Sequence, residues 1–307
     1  MKIYFFWPFK DKIPNSESTE SYEFYNTLLA MDEITLVNSF EEADYIFFMM
    51  DLCNCYNMPH YKSLDINDVN NLKNYKEFEK YIIIDYNDWT DTRNVPENIL
   101  KLVKYYFKRS IVKKENSISK EFVEYSREII SISYGIRSDF IEYDKIYQFK
   151  NFNYDICCMF NGGSGIRSII PSIVNKYNGP KFVGKVYCSN RYGRVNTKYF
   201  EILKTSKIIV TANPPNWEGD YRLWEALLMG NLVLCDKMLV PSLITHPLIN
   251  KKHLVYYNSM KELELLINYY INNETERDKI GKEGRKYSLK YHKFTDRVTE
   301  VINTLHH

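Results

Sequence analysis

Residues Glu218–Asp236, EGDYRLWEALLMGNLVLCD, contain a polar loop, an amphipathic helix, a glycine stop and a buried strand in immediate succession. A helix that feeds straight into a short apolar strand is half of a βαβ unit. In open α/β sheets the loops at the carboxyl edge hold the ligand. The loop 212–219 and the first helical turn after it are therefore expected at a binding edge. Arg222 and Glu225 fall in that turn at an i, i+3 spacing, on one helical face. There Glu225 can accept from two ribose hydroxyls, and Arg222 can face a phosphate or hold Glu225 in place. The same spacing also suits an ordinary surface ion pair.

Outward from this stretch, short apolar runs alternate with helical-period segments, the pattern of βαβ units around parallel sheets. In the first half Ile3–Phe6, Tyr45–Met49, Tyr81–Ile84 and Ile129–Ser133 are predicted strands. Ser21–Met31, Val69–Lys80 and Pro96–Lys104 are predicted helices. In the second half the strands are Tyr154–Phe160, Lys181–Tyr187, Ile208–Thr211, Leu232–Cys235 and Leu254–Tyr257. The helices there are Ile166–Lys176, Thr197–Lys204, Tyr221–Met229 and Met260–Ile271, the last opened by a capping box of Ser259 and Glu262. The tail from Glu274 reads as two helices broken near 291–293. The segment 141–153 has no clear period and is expected to be a linker.

The fold class is thus α/β, with two Rossmann-like lobes of parallel sheet flanked by helices and a cleft between them. The expected division is 1–145 for an acceptor-side lobe and 146–290 for a donor lobe. Residues 291–307 form a closing helix packed back on the first lobe. A length of 307 residues suits two lobes, and 45% hydrophobic residues with 27 tyrosines give ample surface to bury.

Lysine and arginine number 41 against 39 acidic residues, so the broad positive field of a nucleic-acid binder is missing, and nucleic acid is not an expected partner. The apolar run Ile3–Trp7 ends at Pro8, far short of the roughly 20 residues a membrane helix needs, so a cytoplasmic chain without a membrane span is expected. The six cysteines, Cys53, Cys55, Cys157, Cys158, Cys188 and Cys235, follow no disulfide framework, and Cys53 and Cys55 lack a second pair for zinc. There is no G-x-G-x-x-G after the first strand and no Walker loop, which weakens dehydrogenase and P-loop kinase readings.

The run TANPPNWEGDYRLWEALLMGNLVLCD (211–236) resembles the nucleotide-binding segment of two-lobed GT-B glycosyltransferases. Its Arg-Leu-aromatic-Glu-Ala core is similar to the exostosin family. KYIIIDYNDW (80–89), EIISISYGI (128–136) and ICCMFNGGSGIRSII (156–170) resemble further stretches of that family in the same order. Asn87 stands where plant members usually carry His, so that residue's role is not available here.

The resemblance implies transfer of a sugar from a nucleoside-diphosphate donor, UDP-linked by expectation, to a carbohydrate acceptor in glycan biosynthesis. It implies no further cofactor. The glycine loop 161–165, with Gly163, and the helix start after it can approach a diphosphate, with Arg167 as a fixed cation; a plain strand-to-helix turn is the alternative. Lys185 and Arg191 are second-rank phosphate candidates, and Asn213 and Trp217 belong to the donor loop.

No Asp-x-Asp triplet is present, which favours metal-independent departure of the nucleotide beside Arg167, Arg222 and two helix N-termini. Asp85, Asp88 and Asp91 are the alternative source of metal oxygens. The resemblance also suggests inversion at the anomeric carbon, which needs a carboxylate base. Asp88 is favoured over Asp51, each following a predicted strand. Lys108 and Arg109 read as acceptor contacts or as solvated charges. The competing functions are a nucleotide-sugar epimerase and a non-catalytic nucleotide- or sugar-binding protein.

Overall fold

The computed structural model describes residues 1–6, 19–50, 80–86, 103–109, 129–149, 151–160, 165–188, 193–213, 220–237 and 245–306. The chain divides into two compact units, Met1–Ile132 with Val298–His307, and Ser133–Arg297.

The first unit is built on six strands: β1 (Lys2–Phe6), β2 (Thr35–Leu36), β3 (Tyr45–Met50), β4 (Tyr81–Asp85), β5 (Val103–Arg109) and β6 (Ile129–Ile132). They form one sheet in the order β2-β1-β3-β4-β5-β6, with every pairing parallel. Strand β4, YIIID, is buried at every position, as a central parallel strand covered on both faces must be. Helix α1 (Thr19–Leu29) packs Phe24 edge-on against Phe47 of β3 at 6.3 Å between ring centroids. The hydroxyl of Tyr45 donates to the carbonyl of Leu305 at 3.2 Å.

In the second unit, helix α2 (Ser138–Ile146) is followed by β7 (Tyr154–Met159), α3 (Ile166–Asn175), β8 (Lys181–Gly184), α4 (Thr197–Lys204), β9 (Ser206–Val210) and α5 (Tyr221–Met229). Then come β10 (Leu232–Asp236), β11 (Val255–Tyr257), α6 (Met260–Asn272), α7 (Glu274–Tyr291) and α8 (Phe294–Leu305), whose residues from Val298 onward belong to the first unit. The sheet runs β11-β10-β9-β7-β8 and is wholly parallel. Its core joins Ile156 and Cys158 of β7, Ile208 and Val210 of β9 and Leu232 and Leu234 of β10 to Ile170 and Val174 of α3 and Leu263 and Ile267 of α6.

Local chemistry sets the helix ends. Asp220 caps α5 by accepting from the Leu223 amide at 3.3 Å, and Gly230 ends it in the left-handed region, φ 79°. Ser259 accepts from the Glu262 amide at 3.1 Å, as the capping box predicts, while the Glu262 carboxylate takes the amide of Asn258 at 2.8 Å. Helix α7 lies so close to the α5–β10 turn that a methyl group at Gly281 would sit 2.5 Å from the Gly230 carbonyl oxygen.

Both parallel sheets with flanking helices match the expected α/β architecture, and four elements differ from expectation. Residues 141–153 are no linker, because α2 runs to Ile146 inside the second unit and buries Asp144. Lys104 belongs to β5 rather than to a helix, since Val103 and the aromatic residues Tyr105, Tyr106 and Phe107 around it suit a pleated strand. The two-residue edge strand β2 is too short to leave a period, and β8 ends at Gly184, before Tyr187. The predicted helix Val69–Lys80 and residues 96–102 lie outside the described residues.

Candidate functional site

From β7 the chain moves to β8 on one side of the sheet, then returns to β9 on the other side and continues outward to β10 and β11. The point where the direction reverses lies between β7 and β9. Connections leave their carboxyl ends in opposite directions there, which opens a crevice.

Three of the residues expected at this edge meet around the start of α5. Arg167, on the first turn of α3, donates to the carbonyl of Ala212 through Nε at 2.8 Å and Nη2 at 2.5 Å, and Nη2 also contacts the Asp220 carboxylate. The Asp220 carboxylate receives Arg222 Nη1 at 3.1 Å as well. Arg167 is only 9% exposed, and its guanidinium is committed to tying the end of β9 to the cap of α5. Arg222 keeps 20% of its side chain exposed, and its Nε has no hydrogen-bond partner among the described residues.

Glu225 lies one turn further along α5 and is 1% exposed. Its Oε2 accepts from the hydroxyl of Tyr199, on α4, at 2.6 Å, and its Oε1 has no partner among the described residues. Burial pushes the Glu225 carboxyl up to about 7, against the pull of Arg137, the Tyr199 hydrogen bond and Arg222. Burial, with Glu225 nearby, also holds Tyr199 well above its ordinary value, so its hydroxyl remains a donor. Arg137 is itself forked onto Asp139, at 2.9 Å through Nε and 2.5 Å through Nη2. Burial alone would lower the Arg222 pKa, but Asp220, Tyr199 and Glu225 raise it, which keeps the guanidinium charged.

Asn213 is buried just past β9. Its amide N–H and its Nδ2 donate to Asp236 Oδ1, at the end of β10, at 2.8 and 3.1 Å, and its Oδ1 has no partner among the described residues. Burial lifts the Asp236 carboxyl to about 6. Lys185 follows β8 as an exposed residue and makes no hydrogen bond or ion pair among the described residues. Gly163, Trp217, Asp51 and Asp88 lie outside the described residues, as do Arg191, Cys53, Cys55 and Asp91.

Lys108 and Arg109 are not solvated charges, because both are buried at the end of β5. Lys108 Nζ lies 3.5 Å from Asp85, and Arg109 Nε donates to the Tyr86 carbonyl at 3.0 Å. Asp85 also accepts from the Tyr106 hydroxyl at 2.5 Å, so it is held by neighbouring side chains. Among the described residues no group of His, Cys, Asp and Glu is arranged to hold a metal ion.

The sequence reading missed Asp220, Asp236, Arg137 and Tyr199. An Asp immediately before YRLW is a helix-cap signal that marks Asp220. Tyr199 is 26 positions from Glu225, and no local pattern joins them.

Residues 170–303 match the family described as "Glycosyl transferase-like". That segment is a glycosyl transferase-like domain. No curated protein sequence matches the chain. Among solved structures, an alpha-glucosyltransferase in complex with UDP-glucose and DNA containing an abasic site aligns with 100% of this chain and 99% of its own, at 11% identity and a TM-score of 0.59. HepE of Anabaena, solved in complex with UDP-glucose, aligns over 99% of both chains at 11% identity and a TM-score of 0.53. An alpha1,3-fucosyltransferase aligns with 100% of this chain and 90% of its own, at 15% identity and a TM-score of 0.51. The chain therefore has the GT-B fold.

The exclusion of nucleic acid as a partner does not stand. Structures that share this fold across the whole chain have been solved with DNA, so a balanced overall charge does not rule such a partner out. No helix among the described residues is long and apolar enough to cross a membrane.

Proposed function

We propose that the protein is a glycosyltransferase that takes its sugar from a UDP-sugar bound at the carboxyl edge of the second unit's sheet and passes it to a hydroxyl of a glycan. The observation that carries this reading is the amino-terminal part of α5, its first two turns. It holds a buried carboxylate oxygen, Glu225 Oε1, and a buried guanidinium N–H, Arg222 Nε, both without partners among the described residues. A ribose hydroxyl and a phosphate oxygen have the complementary chemistry, and an unmet buried polar atom carries a standing energetic cost that a ligand removes. UDP and UDP-glucose in the fold's neighbours agree with this choice of nucleotide.

In this reading Arg222 takes the diphosphate. Arg167 acts through Asp220 by fixing the position of the helix start. Asn213, Trp217, Gly163 and Lys185 complete the donor site, and the first unit serves the acceptor. The exostosin likeness adds an inverting transfer with Asp88 as the base and Asp51 as the second candidate. Departure of UDP relies on Arg222 and the amino ends of α3 and α5 rather than on a metal.

The test is calorimetric titration with UDP, GDP and CDP, with and without EDTA, followed by transfer assays from UDP-sugars to glycan and DNA acceptors. Selective UDP binding that EDTA leaves unchanged is the expected result. Absence of UDP binding overturns the donor assignment, loss of binding in EDTA overturns metal independence, and transfer to DNA alone replaces the glycan acceptor. Turnover of UDP-sugar to an epimer without any acceptor would identify an epimerase.

A further inference from the structure

Glu225 has two carboxylate oxygens in different situations. Oε2 is taken by the Tyr199 hydroxyl at 2.6 Å, while Oε1 is buried and unmatched among the described residues. Tyr199 is itself fully buried and held from several directions. Its amide donates to the Asn196 side chain that caps α4, at 3.2 Å, and its ring meets Phe140 of α2 edge-on at 6.5 Å. Such a side chain cannot follow a moving carboxylate, so the hydrogen bond fixes how the carboxylate is turned.

The fixed charges around Glu225 are already matched elsewhere. Arg137 is forked onto Asp139, and Arg222 Nη1 rests on Asp220. Neither Arg forms a hydrogen bond to Glu225 among the described residues, which leaves Tyr199 as the donor that sets its orientation there.

We propose that Tyr199 is a positioning residue for donor recognition: by occupying one oxygen of Glu225 it presents the other to a single ribose hydroxyl of the nucleotide. This rests on the UDP-sugar reading above and replaces the expectation that Glu225 binds two ribose hydroxyls alike. With Tyr199 in place, one hydroxyl of the ribose is read through Oε1 and the other contributes little. Without it, the carboxylate rotates and the preference between the hydroxyls is lost.

The experiment measures the dissociation constants of UDP, 2′-deoxy-UDP and 3′-deoxy-UDP for the full chain and for Tyr199→Phe, which keeps the ring and its packing. In the unaltered protein one deoxy analogue should bind about tenfold more weakly than UDP and the other less than about threefold more weakly. In Tyr199→Phe the two analogues should come within about twofold of each other. On a Glu225→Gln background, Tyr199→Phe should change the discrimination by less than about twofold, because the group it orients is altered.

If the unaltered protein does not bind UDP, the donor reading fails. If it binds UDP but weakens equally for both analogues, the single-oxygen presentation fails while the donor reading stands. A ratio of analogues that is the same in Tyr199→Phe, at normal thermal stability, overturns the positioning role alone. Should Tyr199→Phe prove unstable, Tyr199→Trp is not a substitute, and the ratio is read instead in Asn196→Ala, which loosens the α4 cap while retaining the hydroxyl. An unchanged ratio there, with an unchanged ratio in any folded fraction of Tyr199→Phe, rejects the proposal.

Discussion

At the residue scale, the proposed donor site divides the recognition of a nucleotide between hydroxyls at Glu225 and charge at Arg222, and each part can be removed separately. Glu225→Ala should weaken UDP and uridine alike by about 1 to 3 kcal/mol, the range for losing a charged hydrogen-bond partner. Arg222→Ala should weaken UDP by a similar 1 to 3 kcal/mol, roughly, and leave uridine unchanged, because uridine carries no phosphate. Calorimetry with both ligands distinguishes the two roles. Protonation adds a second signature. Burial sets the Glu225 carboxyl at about 7 in the free protein, and hydroxyls that donate to it favour the ionised form. Below that pH a proton must leave before the ligand is held, so UDP affinity should rise about tenfold from pH 6 to pH 8. Glu225→Gln should reduce that rise to whatever the phosphate's own titration supplies. A pH profile that is the same in both proteins would remove Glu225 from the site.

At the scale of elements, what the sequence disclosed depended on how local the cause was. Strands β1, β3, β4, β7 and β10 are apolar runs bounded by breakers, and helix α5 has its cap, its apolar face and its terminal Gly230 within ten residues of one another in the chain. Those could be read. Helix α2 could not, because what holds it is Asp144, whose carboxylate joins Lys204 of α4 at 2.7 Å and Arg285 of α7 at 2.5 Å, partners 60 and 141 positions away. The same limit hid Tyr199, while Arg222 and Glu225 were visible because the helix itself sets their spacing. Strand β5 was obscured by its terminal Lys108 and Arg109, which look solvated in sequence and are buried in the fold. Asp144 therefore carries a prediction: Asp144→Ala leaves two cations without their shared carboxylate and should cost about 2 to 4 kcal/mol in urea unfolding. Gly284 carries another. A methyl group there would stand 2.1 Å from the His253 carbonyl oxygen, so Gly284→Ala must push α7 away from the turn that precedes β11 and should lower stability by at least about 2 kcal/mol.

At the scale of the whole molecule, two buried groups tilt stability against pH in opposite directions. His292 is stacked on Trp224 at 4.5 Å and takes a hydrogen bond from Arg297 on Nδ1 at 2.5 Å. Burial, with Arg297 adding to it, drives its pKa down to about 2 from an ordinary value of 6.5. Below pH 6.5 the unfolded chain binds a proton there that the folded chain refuses, so stability falls as pH falls through that window. Glu225 does the reverse. Its folded value of about 7 lies above its ordinary 4.5, so between those values the folded chain binds the extra proton and stability falls as pH rises. Between pH 4.5 and 6.5 the two slopes oppose each other, each on the order of 1 kcal/mol per pH unit. Removing one should expose the other. Relative to the unaltered protein, Glu225→Gln should gain stability as pH rises from 5 to 6.5, and His292→Gln should gain stability as pH falls over the same interval. Urea unfolding of all three proteins at pH 5, 5.75 and 6.5 measures both differences. If the two variants shift in the same direction with pH, one of these groups does not hold the protonation state that its burial dictates, and for Glu225 that would also remove the basis for pH-dependent donor binding.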